Sequence, residues 1–113
     1  MQLDMTNYKG SDESIHLVSD YTDKAQTEFL ERLIKKYLKV SYAKTKCGYA
    51  CSDHASWTKA GYPAVFPFEA AKNDANRYIH TKNDTIENSG GNAKHSVLFA
   101  KLALAYLVEL DSN

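Results

Sequence analysis

IHLVSDYTDKAQTEFLERLIKKYLKVSYAKT, residues 15 to 45, carries two opposite periodicities separated by a cap. Ile15, Leu17 and Val18 form a short apolar run of the kind found in a strand, ending at Asp20. Asp23 with Gln26 three residues later is an N-cap and capping pair, which opens a helix expected to run through Lys39. In it Phe29, Leu30, Leu33, Ile34, Tyr37 and Leu38 recur at helical spacing, giving one buried stripe. Glu28, Glu31, Arg32, Lys35 and Lys36 make the opposite face a solvated, charge-mixed one. Val40 to Thr45 then alternates as a half-exposed strand. Strand, helix and strand in that order predict an α/β architecture with helices packed on a sheet.

The flanking sequence extends that order. Gln2 to Thr6 reads as a strand broken by the turn chemistry of Lys9-Gly10-Ser11-Asp12. Asp53 to Ala60 is a short helix stopped by Gly61, and Tyr62-Pro63 launches an apolar run, Ala64 to Phe68, expected to be a buried strand. Residues 70 to 91 are polar and aperiodic, and a loop of that length in a small domain is usually functional or mobile. Asn92 is expected to cap a last helix, Ala93 to about Leu110, rich enough in Ala and Leu to be buried on more than one side. No repeat and no linker divides the chain, so residues 1–113 read as one domain or part of one.

Charge and length exclude several functions. Fourteen Lys+Arg against 14 Asp+Glu give no net charge, so nothing favours nucleic acid or an anionic membrane. The longest apolar stretch, Val97 to Leu110, is interrupted by Lys101 and Glu109 and falls short of the roughly 20 residues a spanning helix needs. Residues 1–9 lack a basic region followed by an apolar one and are not a signal peptide, which leaves a cytoplasmic protein or a true N-terminus elsewhere.

Chemistry concentrates in CGYACSDHASWTKAGYPAVFPFE, residues 47–69. Cys47 and Cys51 have three residues between them; two cysteines are too few to complete a tetrahedral zinc site, and their spacing leaves both a small disulfide ring and two free thiols open. A redox role is disfavoured because nothing nearby supplies a low-pKa thiol. Of His16, His54, His80 and His95, only His80 ends a polar segment that could present an imidazole at the mouth of a site. Asp4, within Leu3-Asp4-Met5, is an acid in an otherwise apolar strand, costly to bury without a metal, a cation or hydrogen bonds.

LDMTNYKG at 3–10, SDYTD at 19–23, CGYACSDHASW at 47–57, AGYPAVFPFE at 60–69 and IHTKNDT at 79–85 occur in the order found in one group of enzymes. In these motifs the chain resembles the carboxy-terminal part of the secreted bacterial leucyl aminopeptidases of the co-catalytic two-zinc type, from Leu3 to the last helix. The resemblance implies the C-terminal portion of a zinc-exopeptidase-like αβα sandwich on a mixed sheet, with the N-terminal part of the domain absent. It implies Asp4 as ligand of one zinc and His80 as ligand of the other. It implies a Cys47–Cys51 disulfide and Tyr49 as the hydroxyl that stabilises the developing oxyanion. It also implies an apolar pocket of Met5, Val18, Phe66, Phe68 and Ile79 for a leucine-like N-terminal side chain. Ser52, Asp53 and His54 lie beside that site without a catalytic assignment.

Departures from the pattern are as informative. No histidine is followed two residues later by Asp, no Glu-Glu pair occurs, and the bridging aspartate has no counterpart. Lys72 and Ala75 stand where such enzymes tend to carry aromatic pocket residues. With one ligand per zinc and no general base, the resemblance implies that the chain alone holds zinc weakly or not at all and is inactive. It would act with the missing N-terminal part on peptide N-termini, with exposed edges inviting a homodimer. Secretion, to the extracellular space or periplasm, follows from the family and the disulfide. The alternative is a non-catalytic module that binds peptide N-termini or a partner chain.

Overall fold

A computed structural model describes residues 1–112. Its centre is a three-stranded mixed sheet in the order β2-β1-β3, where β1 is Ile15–Val18, β2 is Tyr42–Thr45 and β3 is Pro67–Phe68. β1 runs parallel to β2, with Ile15 opposite Tyr42 and Val18 opposite Thr45, and antiparallel to β3, with His16 opposite Phe68. The parallel pair is joined through α1, Lys24–Leu33, as parallel strands require a crossover. Asp23 caps α1 as expected, its carboxylate accepting from the Gln26 amide at 2.8 Å. The helix continues into a wider turn, Ile34–Leu38, closed by Lys39 in the left-handed region, whose amide donates to the Ile34 carbonyl.

β1 is buried on both faces, and its period of two sorts the molecule into two halves. Ile15 and Leu17 face Leu30, Leu33 and Ile34, together with Phe99, Leu102 and Tyr106 of α3, Lys94–Asp111. Val18 faces the other way, into Phe66, Phe68 and Ala75, against which Met5 and the Cys47 and Cys51 side chains pack. The short α2, His54–Lys59, joins that second half through the His54 ring, whose centroid is 4.6 Å from that of Phe66. The expected helix-on-sheet α/β class is therefore present, with the two long helices on one face.

Four expectations change. Gln2 to Thr6 forms no strand: Gln2 donates to the Val65 carbonyl, and Met5 then turns into the left-handed region at φ 67°, which ends any ladder. Asp4 is consequently exposed on an irregular segment, and the desolvation problem of an acid inside a strand does not arise. The Ala64–Phe68 run is fully buried but only Pro67–Phe68 is strand, because Ala64 and Val65 give their carbonyls to Asp23 and Gln2 rather than to a neighbouring strand. Finally, α3 begins at Lys94, with Asn92 Oδ1 accepting from the Lys94 amide at 3.0 Å, and buries one side only. Val97, Leu104, Leu107, Val108 and Leu110 are exposed.

Candidate functional site

Three loops converge over the Val18 side of the sheet and enclose a cavity of about 560 Å³. Residues 4–8 form one wall, the Cys47–Cys51 loop a second, and residues 69–89 the third. The cavity brings together Asp4, Met5, Cys47, Tyr49, Cys51, Phe66, Phe68, Ile79 and His80. Val18 is not among the lining residues: buried beneath Phe66 and Phe68, it supports the floor from behind. His16, His54 and His95 also lie outside the lining.

Each wall is held by local hydrogen bonds. Gln2 Nε2 donates to Ser52 Oγ at 3.1 Å, and that hydroxyl donates to Asp4 Oδ2 at 2.7 Å. One oxygen of Asp4 is thereby fixed by a serine two residues from α2. Cys47 and Cys51 form a disulfide. Their loop is tied to the end of β1 by Asp20, whose carboxylate accepts from the Cys47 amide at 3.1 Å and the Gly48 amide at 2.8 Å. Gly48 sits at φ 84° with open space where a Cβ would be, so conformation rather than crowding demands glycine there. Tyr49, within that loop, is 57% exposed and lines the cavity.

In the third wall Glu69 is buried, only 2% exposed, and its carboxylate joins two loops. One oxygen accepts from the Tyr8 amide at 3.4 Å and the other from the Asn76 amide at 3.2 Å. Burial pushes the Glu69 carboxyl above the usual range, against the lowering effect of those amides. Its backbone carbonyl is 3.0 Å from His95 Nε2, which links the wall to α3, and burial holds the His95 imidazole below its ordinary pKa. Asn76 Nδ2 in turn donates to Asp84 at 2.9 Å, and His80 is exposed at the cavity with φ 64°. Sequence reading passed over Asp20 and Glu69. Asp20 lies in SDYTD, two residues after the end of β1, and an acid at a strand end is the signal that could have marked it.

Donor chemistry at the cavity is that of a hard or borderline cation, a carboxylate and an imidazole, but among the described residues no three His, Cys, Asp or Glu side chains converge as a ligand set. The residues present thus fit part of a metal site and do not complete one. Among the described residues no helix is long and apolar enough to cross a membrane.

The sequence profile of Peptidase family M28 matches residues 1–105. The chain belongs to this family. Peptidases of family M28 are in general metal-dependent. The chain is 40% identical to a probable aminopeptidase of Saccharomyces cerevisiae over 99% of its own length and 30% of that protein. It is 41% identical to leucine aminopeptidase 1 of Aspergillus fumigatus over 97% of its length and 29% of that protein. Among solved structures, it superposes on the Legionella pneumophila LapA aminopeptidase with a TM-score of 0.89 at 40% identity, covering 96% of this chain and 29% of that one. For LapB of the same organism the TM-score is 0.90 at 44% identity, covering 99% and 31%. This M28 chain spans less than a third of the length of these relatives. Similarity to yeast and filamentous-fungal proteins also widens the bacterial group that the motifs resemble.

Proposed function

We propose that this chain is the substrate-pocket part of a zinc-dependent aminopeptidase that removes leucine-like, apolar N-terminal residues from peptides. The observation that carries the reading is a single cavity in which Asp4, His80 and Tyr49 stand around an apolar floor of Met5, Phe66, Phe68 and Ile79. In the complete site two zinc ions would be shared between Asp4, His80 and ligands from outside these residues, and bound metal would supply activated water for peptide hydrolysis. The remaining functions belong to side chains of this chain. Ser52 orients the Asp4 carboxylate through its 2.7 Å hydrogen bond and leaves Oδ1 without a hydrogen-bond partner among the described residues. The floor takes the N-terminal side chain out of water, which for a leucine-sized group is worth about 2 kcal/mol. Tyr49 donates its hydroxyl to the substrate carbonyl oxygen as it gains negative charge, and the disulfide with the Asp20 clamp fixes that donor in advance.

Because Asp4 and His80 supply one donor to each ion, the chain alone would hold zinc weakly and turn over nothing. Its partner is the rest of an M28 domain, and the exposed apolar side of α3 offers a surface for that contact or for a second copy. The disulfide favours an oxidising compartment, hence secretion to the extracellular space or periplasm. The test is calorimetric zinc titration of the purified chain with a leucine chromogenic amide assayed in the same sample. The expected outcome is neither tight zinc binding nor turnover. Tight binding with turnover, both lost in Asp4→Ala or His80→Ala, would show that copies of the chain complete the site between them and would overturn the division of labour.

A further inference from the structure

The cavity lining includes a cation that the apolar-pocket reading does not use. Lys72 lines the cavity, and its ammonium lies over the Tyr49 ring, 5.6 Å from the centroid. It is the one Lys or Arg among the lining residues. The three carboxylates of the lining take their hydrogen bonds elsewhere: Asp4 from Ser52, Glu69 from the Tyr8 and Asn76 amides, Asp84 from Asn76 Nδ2. No ion pair or side-chain hydrogen bond engages the Lys72 ammonium among the described residues. Its backbone is nonetheless anchored, the amide donating to Thr45 Oγ1 at 3.0 Å at the end of β2. Lys72 is half-buried, and an ammonium with only a ring face beside it keeps most of its capacity to attract an anion.

We propose that Lys72 recognises a carboxylate of the substrate, placed within a few bonds of the scissile peptide, and so sets the substrate class of this pocket. The inference rests on the aminopeptidase reading, since it needs a peptide N-terminus in the cavity with its carbonyl at Tyr49. Two substrates present that chemistry: a dipeptide, whose free C-terminal carboxylate lies one residue beyond the scissile bond, and a peptide beginning with Asp or Glu. The floor opposes the second, because an acidic side chain entering among Met5, Phe66, Phe68 and Ile79 gives up hydration before it reaches the mouth. A dipeptide with an apolar first residue meets both features: its side chain occupies the floor and its carboxylate remains at the rim beside Lys72.

The proposal is tested on the whole chain by NMR titration with leucyl-alanine, leucyl-alaninamide and glutamyl-alaninamide, comparing wild type with Lys72→Met, which keeps the stem and removes the charge. Wild type should bind leucyl-alanine about tenfold more tightly than its amide, as expected for one half-desolvated charge pair, and Lys72→Met should abolish that difference while leaving the amide unaffected. Lys72→Arg should restore it. If glutamyl-alaninamide instead shows the Lys72-dependent gain, the carboxylate recognised is that of the N-terminal side chain. Equal binding of leucyl-alanine and its amide to wild type, with signals of the cavity residues shifting, would overturn the role of Lys72 and leave the pocket reading standing. Failure of all three ligands to shift Tyr49, Phe66 or Ile79 would overturn the pocket reading, and the Lys72 proposal with it.

Discussion

Replacing Asp20 by alanine should release the Tyr49 loop without unfolding the domain. The Asp20 carboxylate receives two backbone amides, from Cys47 at 3.1 Å and Gly48 at 2.8 Å, and these fasten the disulfide loop to the end of β1. Hydrogen bonds to a charged acceptor contribute about 1.5 to 3 kcal/mol each when buried. Here the Gly48 bond is solvent-exposed and the Cys47 bond half-buried, so about 1 kcal/mol apiece is the appropriate figure. The pair then contributes about 2 kcal/mol to keeping the loop closed, a factor of about 30 in its opening equilibrium. Because the disulfide prevents the loop from drifting far, the loss is local. Hydrogen exchange followed by NMR should show the Cys47 and Gly48 amides exchanging about 30-fold faster in Asp20→Ala, with the amides of Leu30 and Phe99 unchanged. Asp20→Asn, which keeps one acceptor oxygen, should give about fivefold. Unchanged exchange at Cys47 and Gly48 would refute the clamp, and equal acceleration at Leu30 and Phe99 would show that Asp20 serves global stability instead.

Three other perturbations follow from the same geometry. Burial holds the His54 imidazole below its ordinary pKa, so the unfolded chain takes up the proton first, and stability from this group falls as pH drops below about 6.5, by at most about 1.4 kcal/mol per pH unit. The urea midpoint of wild type should therefore fall relative to His54→Phe between pH 7 and 5, and a constant difference would contradict it. Glu69, raised by burial, has the opposite sign, its contribution being lost as pH rises through its folded-state value, and the comparison at one residue separates the two. Gly10→Ala places a Cβ 2.5 Å from Asp74 Oδ2 and 2.9 Å from the Ala70 Cβ, which forces Asp74 from its bonds to the Ser11 amide and hydroxyl. Denaturant unfolding should register a loss of about 2 kcal/mol, and a neutral result would mean that this turn relaxes freely. Leu104→Glu combined with Leu107→Lys, at positions 64% and 65% exposed, should leave the fold intact and suppress association in sedimentation velocity, whereas unchanged association would place the contact elsewhere.

The elements readable in the sequence were those fixed by near neighbours. Asp23 with Gln26 and the Phe29 to Leu38 spacing located α1 because a cap and a stripe are local facts. The first ten residues and the Ala64 to Phe68 run misled for a common reason: their backbone groups pair with one another, Gln2 with Val65, rather than within a ladder, and composition does not record a partner over 60 residues away. The last helix carried its information in plain view, yet apolar residues on two sides predict burial only if something covers the second side. At the site, Asp4, Met5, Tyr49, Phe66, Phe68, Ile79 and His80 line one cavity while Val18 lies behind it, and Glu69 stayed hidden because an acid that binds backbone amides has no sequence signature.

Two of the four non-glycine residues with positive φ among the described residues, Met5 at 67° and His80 at 64°, line the cavity. A left-handed conformation at such side chains costs on the order of 1 to 3 kcal/mol each and persists only where the surroundings over-determine it. At Met5 that restraint is visible on both sides: Ser52 holds Asp4 before it, and the Ser96 hydroxyl engages the Thr6 carbonyl at 3.3 Å after it. At His80 the Thr81 hydroxyl donates to the Tyr78 carbonyl at 2.6 Å, and the Tyr78 amide donates to Asn76 Oδ1 at 2.9 Å, while Asn76 itself is fastened to Glu69 and Asp84. The strain is thus offset by hydrogen bonds within this chain, from Ser52 and Ser96 at Met5 and from the loop's own residues at His80. The backbone on either side of Asp4 and His80 is consequently set by folding alone, and Asp4 has its carboxylate fixed by Ser52 as well.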